Sequence, residues 1–166
     1  MATRRTLLLL SAPLALAGCG FRLRAPPDFA FSSIYLSMPD TSPMGLELRR
    51  NLNGTGRVTV VTDPARIKEA QVVLEPVLDQ RERVVVGLTS SGQVRELQLR
   101  LRFRFRLRSQ DGRELLAPVE LLQQRDLSFN ESVVLAKDAE EQMLYRDMQS
   151  DIVQQIMRRL AAVRSI

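Results

Sequence analysis

Between Leu97 and Arg108 the chain alternates without a break: Gln98, Arg100, Arg102, Arg104, Arg106 and Arg108 are interleaved with Leu97, Leu99, Leu101, Phe103, Phe105 and Leu107. A guanidinium carries five N–H donors in a rigid fork that matches phosphate and carboxylate oxygens. A row of them is chemistry for holding anions rather than for breaking bonds. The groups that usually break bonds are scarce. There is no His, and the one Cys is Cys19, which removes Ser-His and Cys-His nucleophilic pairs, Cys/His zinc sites and an intrachain disulfide. Catalysis would be confined to carboxylate, Lys or Ser-Lys mechanisms, and the alternating pattern offers no obvious convergence of carboxylates in a pocket. The expectation is a protein that is not an enzyme and has no cofactor or metal.

A period of two places the apolar set on one face of a β-strand and the arginines on the other. Same-face residues repeat about every 6.8 Å, so five arginines span about 27 Å and repel one another unless something anionic meets them. Two readings stay open. In the first, the arginines are the solvated face of an amphipathic strand, neutralised by neighbours across the hairpins. A register set by the turn at Ser90-Ser91 then puts Asp79 opposite Arg102 and Glu75 opposite Arg106, pairs contributing about 0.2–1 kcal/mol each. In the second, Arg100, Arg102, Arg104 and Arg106 meet the anionic groups of a ligand or the polar wall of a partner.

The elements that must position this strand lie in one domain's length of sequence. The chain has 166 residues, 45% apolar and 26% charged, with a formal net charge of +5, a balance that excludes a disordered or collagen-like chain. Residues 1–18 are a separate matter. Arg4 and Arg5 precede the apolar run from Thr6 to Ala15, which is too short to span a bilayer needing roughly 20 apolar residues and has the form of a secretory signal peptide. It ends in Leu16-Ala17-Gly18-Cys19, which resembles the lipobox of bacterial lipoproteins: an aliphatic residue, two small ones, and the cysteine that is lipidated after cleavage. Several acyl chains on Cys19 would anchor the chain firmly, since each buried CH₂ contributes about 0.8 kcal/mol. Gly20 follows, where inner-membrane retention typically uses Asp, so the outer membrane is expected. Export and 5% aromatic content argue against nucleic acid as a partner despite the basic charge.

Residues 19–30, with Pro26 and Pro27, read as an extended spacer, and residues 31–166 as a single α+β domain. Ile34, Leu36 and Met38 alternate with Ser33, Tyr35 and Ser37, predicting a half-buried strand stopped by Pro39. Ser42-Pro43 predicts a helix start, with Met44, Leu48 and Leu52 on one stripe up to Asn53-Gly54. A short strand follows over residues 57–61. From Ala70 to Asn130 the pattern is a meander of three long strands, turning at Thr89-Ser90-Ser91-Gly92 and at Asp111-Gly112. A last helix is predicted from Asp138, three residues before Glu141 in a capping-box-like start, to about Val163. Its stripe is Leu144, Met148, Ile152, Ile156, Leu160 and Val163. These elements predict a two-layer sandwich, with two helices packed on one face of a mostly antiparallel four- or five-stranded sheet.

Both ends of the mature chain resemble the LPS-assembly lipoprotein family (LptE, also called rare lipoprotein B). Cys19-Gly20-Phe21-Arg22-Leu23-Arg24 is similar to that family's start. Leu135-Ala136-Lys137-Asp138, Glu140-Glu141-Gln142, Met148 and Gln155-Ile156-Met157-Arg158-Arg159-Leu160 are similar to its closing loop and helix. The resemblance implies two helices against a four-stranded sheet. It also implies a partner, the large outer-membrane β-barrel LptD, in whose lumen the lipoprotein sits one-to-one as a plug. It implies roles in barrel assembly, in binding lipopolysaccharide and in delivering it to the outer leaflet. The alternative is a free-standing periplasmic lipoprotein that binds an anionic lipid or glycan without a barrel.

On this resemblance Lys137 is a candidate contact to a lipopolysaccharide phosphate; on its own, it is an exposed cation just before a helix, where the helix dipole slightly disfavours it. The turn at Thr89, Ser90 and Ser91 departs from the family, which has a basic residue there, and Arg95 is the nearest substitute. Met143, Met148 and Met157 are expected as core fillers.

Overall fold

The computed structural model describes residues 27–128 and 134–166. Cys19, the signal segment and the Phe21–Arg24 motif lie outside the described residues. The elements are β1 (Ser33–Leu36), α1 (Pro43–Gly54), β2 (Thr59–Val61), a short 3₁₀ helix (Pro64–Glu69), β3 (Val72–Leu88), β4 (Val94–Ser109), β5 (Glu114–Ser128) and α2 (Val134–Ala161). They form a five-stranded sheet in the order β2-β1-β3-β4-β5, with both helices on one face. The fold is α+β, as predicted.

The sheet is mixed rather than antiparallel throughout. β1 runs parallel to both β2 and β3, while β3, β4 and β5 are antiparallel. The cause is α1: a parallel pair needs a crossover, and the helix between β1 and β2 supplies it. The predicted cap is present, since Ser42 Oγ accepts from the Gly45 amide at 3.1 Å and Pro43 occupies the first turn, where its missing N–H costs nothing. Met44, Leu48 and Leu52 are buried as their spacing requires. β1 is buried on both faces rather than half-buried. Ile34 and Leu36 enter the main core, whereas Tyr35 joins Val61, Ala70 and Val73 in a second cluster on the opposite side, the usual situation of a parallel strand inside a sheet.

The two hairpins turn where their dipeptides demand. Gly92 and Gly112 have φ of 83° and 91°, a region open to glycine without steric cost. β4 is the middle strand of the meander, between β3 and β5, and Leu97, Leu99, Leu101, Phe103, Phe105 and Leu107 all bury on the helix side. α2 covers them with Met148, Ile152, Ile156 and Leu160, each fully buried. Met157 is buried too, but Met143 is exposed and does not fill the core.

α2 starts at Val134, so Asp138 lies inside the helix rather than at a capping box. Glu141 does not reach back to the helix start: it is buried, and its carboxylate meets Arg83 at 3.3 Å.

Candidate functional site

The face of β4 turned away from the helices carries the arginine ladder, and its register decides which arginines are neutralised. Near the second hairpin the pairing is as the turn predicts, with Glu75 opposite Arg106. A bulge between Pro76 and Leu78 then shifts β3 by one residue. Pro76 has no N–H to give to the ladder, so an irregularity there is inexpensive. Beyond it Gln80 faces Arg102 and Glu82 faces Arg100, while Asp79 is opposite Phe103, on the helix side. The expected Asp79–Arg102 pair therefore does not form.

Arg102 is neutralised from both flanks instead. Its Nη1 lies 3.4 Å from Glu82, and Nε and Nη2 donate to the same oxygen of Glu120 at 3.0 and 2.9 Å. Glu75 takes the other end, accepting from Arg106 Nε at 2.6 Å and from Arg108. Partial burial pushes the Glu75 carboxyl up, but the hydrogen bonds from Arg108 and Arg106 outweigh it and hold the group below the ordinary glutamate value.

Two arginines are left over. Arg100 Nε donates to the Gln98 amide oxygen at 2.9 Å and meets no carboxylate among the described residues. Arg104 is exposed. Its register partner on β5 is Glu120, yet both hydrogen bonds to that carboxylate come from Arg102, and Arg104 pairs with nothing among the described residues. Four residues separate the two, or about 14 Å along the strand. Leu122 lies opposite Arg102 on this face and is exposed. The open face thus offers two unneutralised guanidiniums beside an apolar side chain, an arrangement that can hold phosphoryl groups of an amphiphile.

Lys137 is not part of this row. It sits in the first turn of α2, not before a helix, and its Nζ is bound to Glu140 at 2.8 Å and Ser128 Oγ at 3.2 Å, with 17% of its side chain exposed. Ser128 pairs with Glu96, about 14 Å along β4 from Arg100. Arg100, Arg102, Arg104 and Arg106 are thus together on one face, and Lys137 is at the end of the sheet, already paired. In the first hairpin, Thr89 Oγ1 and Ser91 Oγ share a hydrogen bond at 2.9 Å, while Arg95 is exposed.

Sequence reasoning passed over β3's own arginines. Toward the first hairpin the helix-side positions of β3 are Asp79, Arg81 and Arg83 rather than apolar residues, and α2 meets them with Tyr145 and Glu141. Arg81 stacks over the Tyr145 ring, 5.0 Å from its centroid, and Tyr145 donates to the Glu82 carbonyl at 2.8 Å. The missed signal was the alternation of Arg81 and Arg83 along the end of an otherwise apolar face.

Comparison with known proteins gives a consistent result. Residues 31–160 match the family model described as "LptE: Lipopolysaccharide-assembly". The chain is 28% identical over 164 residues to an LPS-assembly lipoprotein LptE of Photorhabdus laumondii, covering 96% of this chain and 86% of that protein. It is 29% identical over 163 residues to the protein of the same name from Yersinia enterocolitica, covering 96% and 76%. Among solved structures, an uncharacterized lipoprotein B of Nitrosomonas europaea superposes with a TM-score of 0.71 at 36% identity, covering 86% of this chain and 91% of that one. The rare lipoprotein B of Shewanella oneidensis shares the fold, with a TM-score of 0.65 at 22% identity over 79% of this chain and 95% of that one.

Proposed function

Because this chain belongs to the LptE family of lipopolysaccharide-assembly proteins, we propose that it is an outer-membrane lipoprotein that plugs the β-barrel LptD, one-to-one, and binds lipopolysaccharide on its open sheet face. It catalyses nothing. Acyl chains on Cys19 hold it to the membrane, residues 19–30 act as the spacer, and the domain of residues 31–166 stands in the barrel lumen from the periplasmic side. There it aids barrel assembly and supports insertion of lipopolysaccharide in the outer leaflet.

The observation that carries the ligand part is the leftover charge: Arg100 and Arg104 have no carboxylate among the described residues, although Glu75, Glu82 and Glu120 neutralise the arginines around them. A guanidinium fork binds a phosphate through two parallel hydrogen bonds, and Leu122 adds apolar contact beside them. Arg102, Arg106 and Arg108 shape the face. A barrel lumen is polar, so the same face suits its wall where lipopolysaccharide does not occupy it.

The test is capture of the tethered protein from detergent-solubilised outer membranes. A large β-barrel should come with it in equal amount. Recovery of the protein as a monomer, from membranes that contain the barrel, would overturn the plug and leave a free-standing lipoprotein. Mass spectrometry of the mature N-terminus tests the anchor: an unacylated Cys19 rules it out.

A further inference from the structure

We propose that the groove between α1, β3 and α2, on the helix side and away from the ladder, is a second anion site that takes a phosphoryl group. The groove has a volume of about 530 Å³ and is lined by one arginine from each element: Arg50 of α1, Arg81 of β3 and Arg146 of α2. None of the three makes an ion pair among the described residues. Their neighbours do. Arg49, next to Arg50, is bound to Asp40 at 2.8 Å, and Arg83, two residues from Arg81, meets Glu141. Arg50, Arg81 and Arg146 thus line the groove without an ion pair while Arg49 and Arg83 beside them are taken, and Asp79 acts on Arg81 only at longer range.

The one acidic residue in the groove is already engaged. Glu47 accepts from Gln149 Nε2 at 2.6 Å through one oxygen and from Ser150 Oγ at 2.6 Å through the other. These neutral donors tie α1 to α2 and leave the carboxylate charged, so the groove lining carries three guanidinium charges against one carboxylate. Arg81 is held in place by its stack on Tyr145, whose hydroxyl is fixed to the Glu82 carbonyl, so little side-chain entropy remains to be lost when an anion arrives. Three forks from three elements suit a group with several oxygens spread around one centre, as a phosphoryl group has; a carboxylate occupies one fork. The groove is open, so the phosphoryl group belongs either to a small soluble phosphate or to a larger phosphorylated glycolipid.

The full chain in nonionic detergent, with its arginine side-chain nitrogens followed by NMR, is titrated with inorganic pyrophosphate and, separately, with lipopolysaccharide before and after dephosphorylation. The Nε–H signals of Arg50, Arg81 and Arg146 should move with pyrophosphate. The double variant Arg50→Gln/Arg146→Gln should weaken pyrophosphate binding about tenfold or more with an unchanged melting temperature. Arg81→Lys keeps the charge but loses the fork and the stack, and should fall between the two. Competition between pyrophosphate and phosphorylated lipopolysaccharide identifies a glycolipid as the source, and binding of pyrophosphate alone identifies a small one. Unchanged pyrophosphate affinity in the double variant overturns the site, as does a response confined to Arg100 and Arg104. So does a double variant that loses a protein partner while its pyrophosphate affinity is intact. Lipopolysaccharide that fails to bind while pyrophosphate still moves the groove signals counts against the function proposed above and leaves the groove standing.

Discussion

The two faces of β4 share one backbone and behave as two different materials. On the helix side, every second residue from Leu97 to Leu107 is sealed under α2. On the other side the arginines remain in contact with water and are held by a few carboxylates from β3 and β5. The lesson is a division of labour. Burial on one face fixes where the backbone runs, and a fixed backbone sets the spacing of charges on the other while drawing only a smaller share of its stability from them. Substitutions on the two faces should therefore fail in different ways.

The largest effect belongs to the sealed face. Phe103 is fully buried among core residues and stacks with Phe105 at 6.0 Å between centroids. Phe103→Ala should cost about 3–5 kcal/mol, read as a lowered midpoint in urea unfolding, whereas its chain neighbour Arg104→Ala should stay within about 0.5 kcal/mol. Comparable losses at the two positions would dissolve the distinction.

Next in size is Glu75, where the open face does contribute to stability. Its carboxyl is held below the ordinary value in the fold, so its stabilisation is complete above the ordinary glutamate range and is lost as pH falls through the lower folded value. Glu75→Gln should cost about 1–2 kcal/mol at neutral pH, because two partly exposed guanidiniums lose their shared partner. The gap between wild type and variant should close in acid. A gap independent of pH would assign the loss to packing.

How much of this was legible beforehand follows the same division. The stripe of α2, the cap at Ser42 and the alternation in β4 could be read because each repeats a period over many residues. β1 and β2 are too short to announce that they run parallel, and nothing in Tyr35 says that a second cluster waits on the far side. The ladder was visible as a row of arginines, but its neutralised members were not: one bulge after Pro76 moves Asp79 to the other face and hands Arg102 to Glu82 and Glu120. The start of α2 was misplaced because Asp138 and Glu141 have capping-box spacing, while Glu141 is claimed by Arg83, 58 residues upstream. The groove arginines were invisible for a related reason, since they come from three separate elements.

That register makes a sharper comparison within the ladder itself. Arg100→Gln/Arg104→Gln removes the two guanidiniums that no described carboxylate holds, and should weaken lipopolysaccharide binding about tenfold at low salt while leaving the unfolding midpoint in place. The difference from wild type should shrink as added salt screens the exposed charges. Arg102→Gln should do the reverse, lowering stability slightly, through the loss of its bonds to Glu82 and Glu120, with little change in binding. Vesicle co-sedimentation of both variants at two salt concentrations tests this. Equal loss of binding in the two would mean that charge number, not availability, governs the face.

The smallest effect is expected at Lys137, and its smallness is informative. A cation in the first turn of a helix sits against the positive end of the dipole, which disfavours it by a few tenths of a kcal/mol. Its bonds to Glu140 and Ser128 offset that by a similar amount, since an i,i+3 pair contributes about 0.2–0.5 kcal/mol. The two terms nearly cancel, so Lys137→Gln should shift stability by less than about 0.5 kcal/mol. Binding is where the position is decided. To contact a ligand phosphate, Lys137 must first leave Glu140, which reduces what the new contact gains. Its replacement should therefore weaken lipopolysaccharide binding by less than about threefold, well short of the double ladder variant. A loss as large as that variant's would show that the ion pair opens readily, and that the end of the sheet, not its open face, carries the ligand.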